Sequence, residues 1–334
     1  MGSYHRRVVL LERLAHLLNC HAMDEKTLMI AGPTASGKSA LALAIAEAFG
    51  GVIINADSMQ VYRDLRILSA RPTPAEEAAQ PHRLYGYLPA KEIGSAGRWR
   101  ADAVAEIEQA WAADRLPIVV GGTGLYFRAL VDGLAPVPAV PDAARQAAEA
   151  ELNRLGPVDF HRRLGRIDPE SAARLAVGDR QRLVRAYAVR QATGRSLAEW
   201  QAETVPGLAG RHMTVLLDPP REWLYQRCDQ RFDLMMAAGA LAEVKALAAR
   251  DLPKTLPVMK ALGVPHLLAH LGGELAIEEA AGKAKTLTRR YAKRQMTWFR
   301  HQMARAVRLT TQDLERNAEE IFPKICDFML TPVS

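Results

Sequence analysis

Short apolar runs recur along the chain at Thr27–Ala31 (TLMIA), Val52–Ala56 (VIINA), Leu116–Val120 (LPIVV) and Met213–Leu217 (MTVLL). Each is too short for a helix and apolar at successive positions, the pattern of a strand covered on both faces. Between them, Ala40–Phe49 and Ser95–Ala113 read as helices, the first stopped by Gly50-Gly51 and the second preceded by Gly94. Strands alternating with helices predict a parallel sheet flanked by helices.

The pattern changes after Leu134. Ala135–Pro141 (APVPAVP) reads as a hinge. Asp142–Trp200 is dense in Ala, Leu, Arg, Gln and Glu, has no strand-like run, and reads as a helical insert. Arg221–Arg250 is mostly helical with a break at Gly239, and Leu275–Arg308 is helical again. The expected organisation is an α/β core over 23–136 and 201–334, with a small all-helical insertion domain over 137–200. Residues 1–22 read as an N-terminal extension. Arg6–Leu18 (RRVVLLERLAHLL) has a basic start and an apolar run, but Glu12, Arg13 and His16 interrupt it and no small-residue cleavage site follows. Met23 is the expected native start, and the segment before it is expected to be dispensable.

The 334 residues are 49% hydrophobic and 24% charged, ordinary for a globular protein, and no apolar run is long enough to cross a bilayer. The three cysteines, Cys20, Cys228 and Cys326, lack zinc-site spacing, and an odd count argues against a secreted disulfide framework. The expectation is a cytoplasmic monomer without a structural metal. The net charge of +7 is compatible with an RNA partner, and basic residues crowd Arg162–Arg195 and Lys283–Arg308.

The chemistry starts at GPTASGKS: Gly32, Pro33, Thr34, Ala35, Ser36, Gly37, Lys38 and Ser39. They fit G-x-x-x-x-G-K-[ST] between a strand and a helix, the context a P-loop requires. Glycines let backbone N–H groups wrap an anion, and the helix N-terminus adds a favourable dipole. Lys38 is placed to hold an outer phosphate, and Ser39 to bind Mg²⁺ or a phosphate oxygen. Nucleotide hydrolysis, phosphoryl transfer and displacement of diphosphate all use such a cradle.

Asp57 follows the second strand at its carboxyl end, where open α/β sheets bind ligands. It can be a general base, a metal ligand or a helix cap. Beside it, Ser58 and Gln60 can hydrogen-bond a base edge. Gly121–Tyr126 (GGTGLY) follows the third strand and presents the Thr123 hydroxyl to the same edge, or forms a tight turn with Thr123 as a cap. That strand lacks the terminal acid that a nucleotide hydrolase uses for Mg²⁺; Asp218 is the alternative, but the prolines after it read as structural. In Gln181–Arg185 (QRLVR), Gln181 and Arg185 share a helix face, which either grips an unstacked base or is simply solvated. Arg231 can clamp a diphosphate or join a surface ion pair. Thr288–Arg300 (TRRYAKRQMTWFR) carries Arg290, Lys293, Arg294 and Arg300 as a basic surface, with Tyr291, Trp298 and Phe299 either in the core or stacking on bases.

These segments resemble the bacterial tRNA dimethylallyltransferase family, also called tRNA isopentenyltransferases. GPTASGKS, DSMQVYR at Asp57–Arg63, GGTGLYFRAL, QRLVRAYAVRQATG and TRRYAKRQMTWFR occur in family order from Thr27 to about Arg308. The resemblance implies transfer of a dimethylallyl group from dimethylallyl diphosphate to N6 of the adenine 3′ of the tRNA anticodon, with Mg²⁺ and loss of diphosphate. It makes Asp57 and Thr123 catalytic. Gly32 to Ser39 and Arg231 would bind the diphosphate, with Ser39 toward the metal. The anticodon stem-loop would meet Asp57, Ser58, Met59, Gln60, Thr123, Gln181, Arg182, Leu183, Val184, Arg185, Arg290, Lys293 and Arg294. The chain departs from the family at Asp64–Pro72 (DLRILSARP) and Pro81–Gly86 (PHRLYG), which opens the roles of Ser69 and Arg71. The rival readings are a P-loop small-molecule kinase and a non-catalytic RNA-binding protein that uses the phosphate loop as a switch.

Overall fold

A computed structural model describes residues 25–203 and 205–331. The expected extension, its Met23 start and Cys20 lie outside the described residues. In chain order, the first elements are β1 (Lys26–Ala31), α1 (Lys38–Phe49), β2 (Gly51–Asn55), α2 (Pro74–Ala79), β3 (His82–Arg83), α3 (Ala96–Ala112), β4 (Leu116–Gly121) and α4 (Gly124–Val131). The insert supplies α5 (Asp142–Ile167), α6 (Pro169–Arg174), α7 (Arg180–Thr193) and α8 (Leu197–Gln201). Then come β5 (Arg211–Leu217), α9 (Arg221–Ala237), α10 (Ala240–Ala248), the 3₁₀ turn Pro257–Lys260, α11 (Val264–Leu271), α12 (Ile277–Gln302), β6 (Val307–Leu309) and α13 (Leu314–Leu330).

The strands form one parallel sheet in the order β3-β2-β4-β1-β5-β6. The four apolar runs are its inner strands. β1, β2 and β4 are buried along their whole length, as continuous apolar runs covered on both faces require. One core layer joins Leu28, Ile30, Ile118 and Val215 of the sheet to Leu41, Ile45 and Phe49 of α1 and to Ile321 and Phe322 of α13. The Phe49 and Phe322 rings meet edge-on at 5.5 Å.

Two strands carry no periodic signal in the sequence. β3 has two residues and pairs with Ile53 and Ile54. β6 corrects the helix expected through Arg308: α12 ends at Gln302, and Val307–Leu309 lies along β5 instead. A helix there would leave the β5 edge without a partner strand. The break expected at Gly239 is present, with φ of 100° between α9 and α10.

The chain divides into two compact units, one up to Arg128 and from Ala209 onward, the other Ala129–Leu208, wider at both ends than the 137–200 read from sequence. In the second unit, α5 bends at Gly156-Pro157, and Ala148, Leu152, Phe160 and Leu164 pack with Leu183, Ala186 and Tyr187. Asp168, Asp179 and Ser196 cap its helices by accepting from Ser171, Arg182 and Glu199 backbone N–H groups. Chain entry and exit run side by side, with Leu208 N–H donating to Leu130 O at 2.7 Å.

Close backbone approach fixes where β4 ends. A Cβ on Gly121 would stand 2.0 Å from the Ala56 carbonyl oxygen, whereas one on Gly282, in α12, would meet nothing within 4 Å. Gly121→Ala should therefore destabilise the protein by at least about 2 kcal/mol through overpacking, while Gly282→Ala should stabilise it by about 0.5–1 kcal/mol. Urea unfolding of both variants checks the contrast.

Candidate active site

Three loops meet at the carboxyl edge of the sheet because β2, β4 and β1 are neighbours there. The phosphate loop follows β1, Asp57 follows β2 and Thr123 follows β4. Within the phosphate loop, Ala35 and Gly37 take positive φ (65° and 93°), which curls the backbone ahead of α1. Lys38 folds back, its Nζ donating to Pro33 O at 2.6 Å. Arg231 reaches in from α9 and donates to the Thr34 hydroxyl. Cys228, one turn earlier, is buried beside Thr34.

Asp57 is held by its neighbours. Its N–H donates to Asn55 Oδ1 at 2.8 Å, and its Oδ1 accepts from Met59 N–H at 2.8 Å. Buried Asn55 donates through Nδ2 to the carbonyls of Asp57 and Leu84, both at 3.0 Å. Trp99 in turn donates to Asn55 O at 2.7 Å and stacks on Tyr126 at 4.2 Å. Thr123 Oγ1 accepts from Ser58 N–H at 2.9 Å, and Thr123 N–H donates to Ala56 O. Asp57, Ser58 and Thr123 therefore share one edge, as the sequence suggested.

Positive charge exceeds negative charge at this edge. Burial pulls the Lys38 ammonium down to about 7, with the Asp57 carboxylate opposing and Arg231 adding to the fall. Burial also lowers Arg231, opposed by Cys228 and Asp57. Tyr291 of α12 is pushed up by burial and then by the Asp57 charge, while a hydrogen bond with the Thr123 hydroxyl acts the other way.

Magnesium fits the donors present, though only in part. Ser39 is exposed on the first turn of α1, and Asp57 Oδ2 accepts no hydrogen bond from the described residues. Both are hard oxygen donors. No cluster of three or more His, Cys, Asp or Glu surrounds them among the described residues. A cation here would take most of its ligands from an anion and water.

Other sequence-derived residues are placed differently. Gln60 commits its amide donors to the carbonyls of Ser69 and Ala70, both at 2.9 Å, so they are not offered to a base. Leu183 and Val184 lie in the core of the helical unit, which removes their side chains from any RNA contact. Gln181, Arg182 and Arg185 are exposed there. Asp218 is paired with Arg300 through contacts of 2.8–3.0 Å, which takes Asp218 from the metal role and Arg300 from the free basic surface. Arg290, Lys293 and Arg294 are exposed on α12. Met59 is half-buried. Of the family departures, Ser69 bonds back to Leu65 O, and Arg71 packs over Gly86, donates to Tyr62 O at 3.3 Å and lines a small pocket with Ser39 and Tyr85.

Sequence reasoning missed three polar anchors. Asn55 holds the Asp57 turn. Glu243 accepts from Ile67 and Leu68 N–H at 2.8 and 2.9 Å, and also from Arg66 N–H, fixing the loop beyond Asp57. Gln295 bonds both the phosphate loop and the Thr123 loop. The legible signal for Gln295 is its place on the buried stripe of α12 among Thr288, Ala292, Met296 and Phe299.

The depressed Lys38 gives a pH test. At pH 7 about half of its amine is neutral, against a trace for a lysine titrating near 10.5. Trace acetylation should modify Lys38 ahead of Lys293, with a midpoint near pH 7, and inorganic diphosphate should protect it. The unfolded chain holds one more proton than the folded one between pH 7 and 10.5, so this residue makes stability rise with pH across that window. A Lys38 midpoint near 10.5 would contradict the burial.

Comparisons with known proteins agree on one family. A family model described as IPP transferase matches residues 60–302. A tRNA dimethylallyltransferase of Methylobacterium nodulans is 54% identical over 303 residues, covering 90% of this chain and 99% of the relative. Another from Rhodospirillum centenum is 54% identical over 312 residues, 92% of this chain and 98% of the relative. The crystal structure of a tRNA isopentenylpyrophosphate transferase from Bacillus halodurans is similar at 32% identity and a TM-score of 0.66, covering 91% of this chain and 97% of that one. A eukaryotic dimethylallyltransferase acting on tRNA is similar at 26% identity and a TM-score of 0.79, covering 92% of this chain and 81% of that one.

Proposed function

The chain belongs to the IPP transferase family, and from that premise we propose that it transfers a dimethylallyl group from dimethylallyl diphosphate to N6 of the adenine 3′ of the tRNA anticodon. The observation that carries the reading is the pair of half-buried cations, Lys38 and Arg231, at a phosphate loop that shares its sheet edge with Asp57 and Thr123. In the reaction the N6 lone pair forms a bond to C1 of the donor. The C1–O bond breaks, and diphosphate leaves with that electron pair. N6 loses one proton.

Each residue does work suited to its place. Phosphate-loop N–H groups, Lys38 and Arg231 hold the diphosphate and stabilise the charge that grows on its bridging oxygen. Asp57 accepts the N6 hydrogen bond and then the proton, which requires its carboxylate to be fixed; Met59 N–H holds the carboxylate, and Asn55 holds the Asp57 main chain. Thr123 and Ser58 keep the edge polar beside it. Ser39 would offer its hydroxyl to Mg²⁺, which would supply further charge neutralisation. The adenine must leave its stack to reach this edge, at a cost of a few kcal/mol. Exposed Arg290, Lys293 and Arg294 on α12, and Gln181, Arg182 and Arg185 on α7, bind the anticodon stem-loop.

Mass spectrometry tests the reaction directly. Unmodified tRNA incubated with the protein, Mg²⁺ and dimethylallyl diphosphate should yield an adenosine heavier by one dimethylallyl group. No product from folded protein, together with ATP turnover on a small acceptor, would establish the kinase reading instead. Asp57→Ala should lower turnover by about a hundredfold or more while tRNA still binds. Arg290→Ala should weaken tRNA binding and flatten its salt dependence by about one unit of slope, read by filter binding from 50 to 300 mM salt. An unchanged slope would leave Arg290 outside the interface.

A further inference from the structure

We infer that Gln295 is a positioning residue for the transfer, a single side chain that sets the spacing between the phosphate loop and the Thr123 loop. The inference rests on the proposed reaction and adds a residue to it. Gln295 is 6% exposed. Its Oε1 accepts from Thr34 N–H at 2.8 Å, and its Nε2 donates to Gly122 O at 2.7 Å. One partner is a backbone donor and the other a backbone acceptor, so only one orientation of the amide satisfies both.

Each partner leads directly to the chemistry. Thr34 holds Arg231 through its hydroxyl. Gly122 precedes Thr123, whose hydroxyl receives the N–H of Ser58, the residue after Asp57. The donor side and the acceptor side of the site therefore meet in one amide from a third element, α12. Gly122 is built for this approach: a Cβ there would stand 2.3 Å from Gln295 Nε2. A polar residue on a buried helix stripe is costly unless both of its groups are paired, and here both are. Displacement at carbon needs nucleophile and leaving group in line, and an error of about 1 Å can cost about a hundredfold in rate. Gln295 touches neither reactant in this arrangement; it acts through Thr34 and Gly122.

Gln295→Glu separates positioning from mere stability. The ionised side chain still accepts from Thr34 N–H but brings an oxygen without a proton against Gly122 O. Protonation restores the donor. The single-turnover prenylation rate of the full-length variant should fall by about 10- to 100-fold at pH 8. Relative to wild type, it should recover as the pH is lowered toward 6. Dissociation constants for tRNA and for inorganic diphosphate should stay within about threefold of wild type, as a geometric effect requires. Gln295→Leu, which makes neither bond, should lose rate without recovery in acid. If the glutamate variant does not fold, Gly122→Ala reaches the same junction from the other side and should lose rate with both ligands still bound. An active wild type beside a Gln295→Glu protein whose relative rate ignores pH, or a Gly122→Ala protein of full rate, overturns the role of Gln295 alone. A wild type that binds diphosphate but prenylates nothing overturns the reaction beneath it.

Discussion

Positive charge held partly out of water is the constraint on which the site depends. Lys38 and Arg231 are both lowered in pKa first by burial, and Asp57 is the carboxylate that opposes the shift in each. Their direct hydrogen-bond partners are neutral: a carbonyl for Lys38 and a hydroxyl for Arg231. Desolvating a cation is repaid only by good pairing, and neutral acceptors repay part of it. A bound anion would complete the arrangement. Diphosphate fits that requirement better as it leaves than as part of the ester, because its charge is greatest once the C–O bond has broken. In the proposed reaction such a cradle would favour the transition state and product, the direction in which binding accelerates a reaction.

Such a site needs a frame that resists collapse, and the frame is largely backbone held by buried amides and a carboxylate. Asn55 fixes the Asp57 turn, Glu243 fixes the loop beyond it, and Gln295 fixes the two loops to each other. Each of these side chains bonds main-chain groups that the loops themselves leave unpaired. The glycines at 121 and 122 let strand, loop and amide approach within hydrogen-bond distance. Polar fixation of this kind specifies one geometry, whereas an apolar filler at Gln295 would leave Thr34 N–H and Gly122 O without partners.

How much of this was legible in sequence follows from the range of each interaction. The inner strands and the phosphate loop are local: an apolar run, glycines at fixed offsets and a following helix are visible within a dozen residues. Asp57 and Thr123 were legible as a pair because parallel strands end at the same edge. β3 and β6 were not, since two or three residues carry no period and owe their form to a neighbouring strand. Gln60 and Arg300 look like solvent-facing polar residues in sequence, yet their partners, Ser69 with Ala70 and Asp218, are set by tertiary contact. Leu183 and Val184 share a family segment with Gln181 and Arg185; helical periodicity separates the buried pair from the exposed one. Asn55 and Gln295 are hard to single out in sequence because a lone amide has no charge or motif to mark it.

The cations of α12 show why net charge is a poor guide and pairing a better one. Lys285 and Arg289 bond Asp233 and Asp229 of α9, and Arg300 bonds Asp218. These cations join secondary elements and contribute little to an outward field. Arg290, Lys293 and Arg294 make no ion pair among the described residues, and Arg294 lies over the Tyr291 ring, 5.6 Å from its centre. Lys293 and Arg294 stand three and four positions after Arg290, so each repels it by about 0.2–0.5 kcal/mol on an isolated helix. A helix that needed only solubility could intersperse acids there, as the same helix does at Glu279 and Lys283. A polyanion turns that mutual repulsion into attraction through counterion release. The opposite face of the same helix, four residues from Tyr291, carries Gln295 into the junction of the reacting loops. The exposed cations proposed to meet RNA and the amide that joins the two loops therefore belong to opposite faces of a single helix.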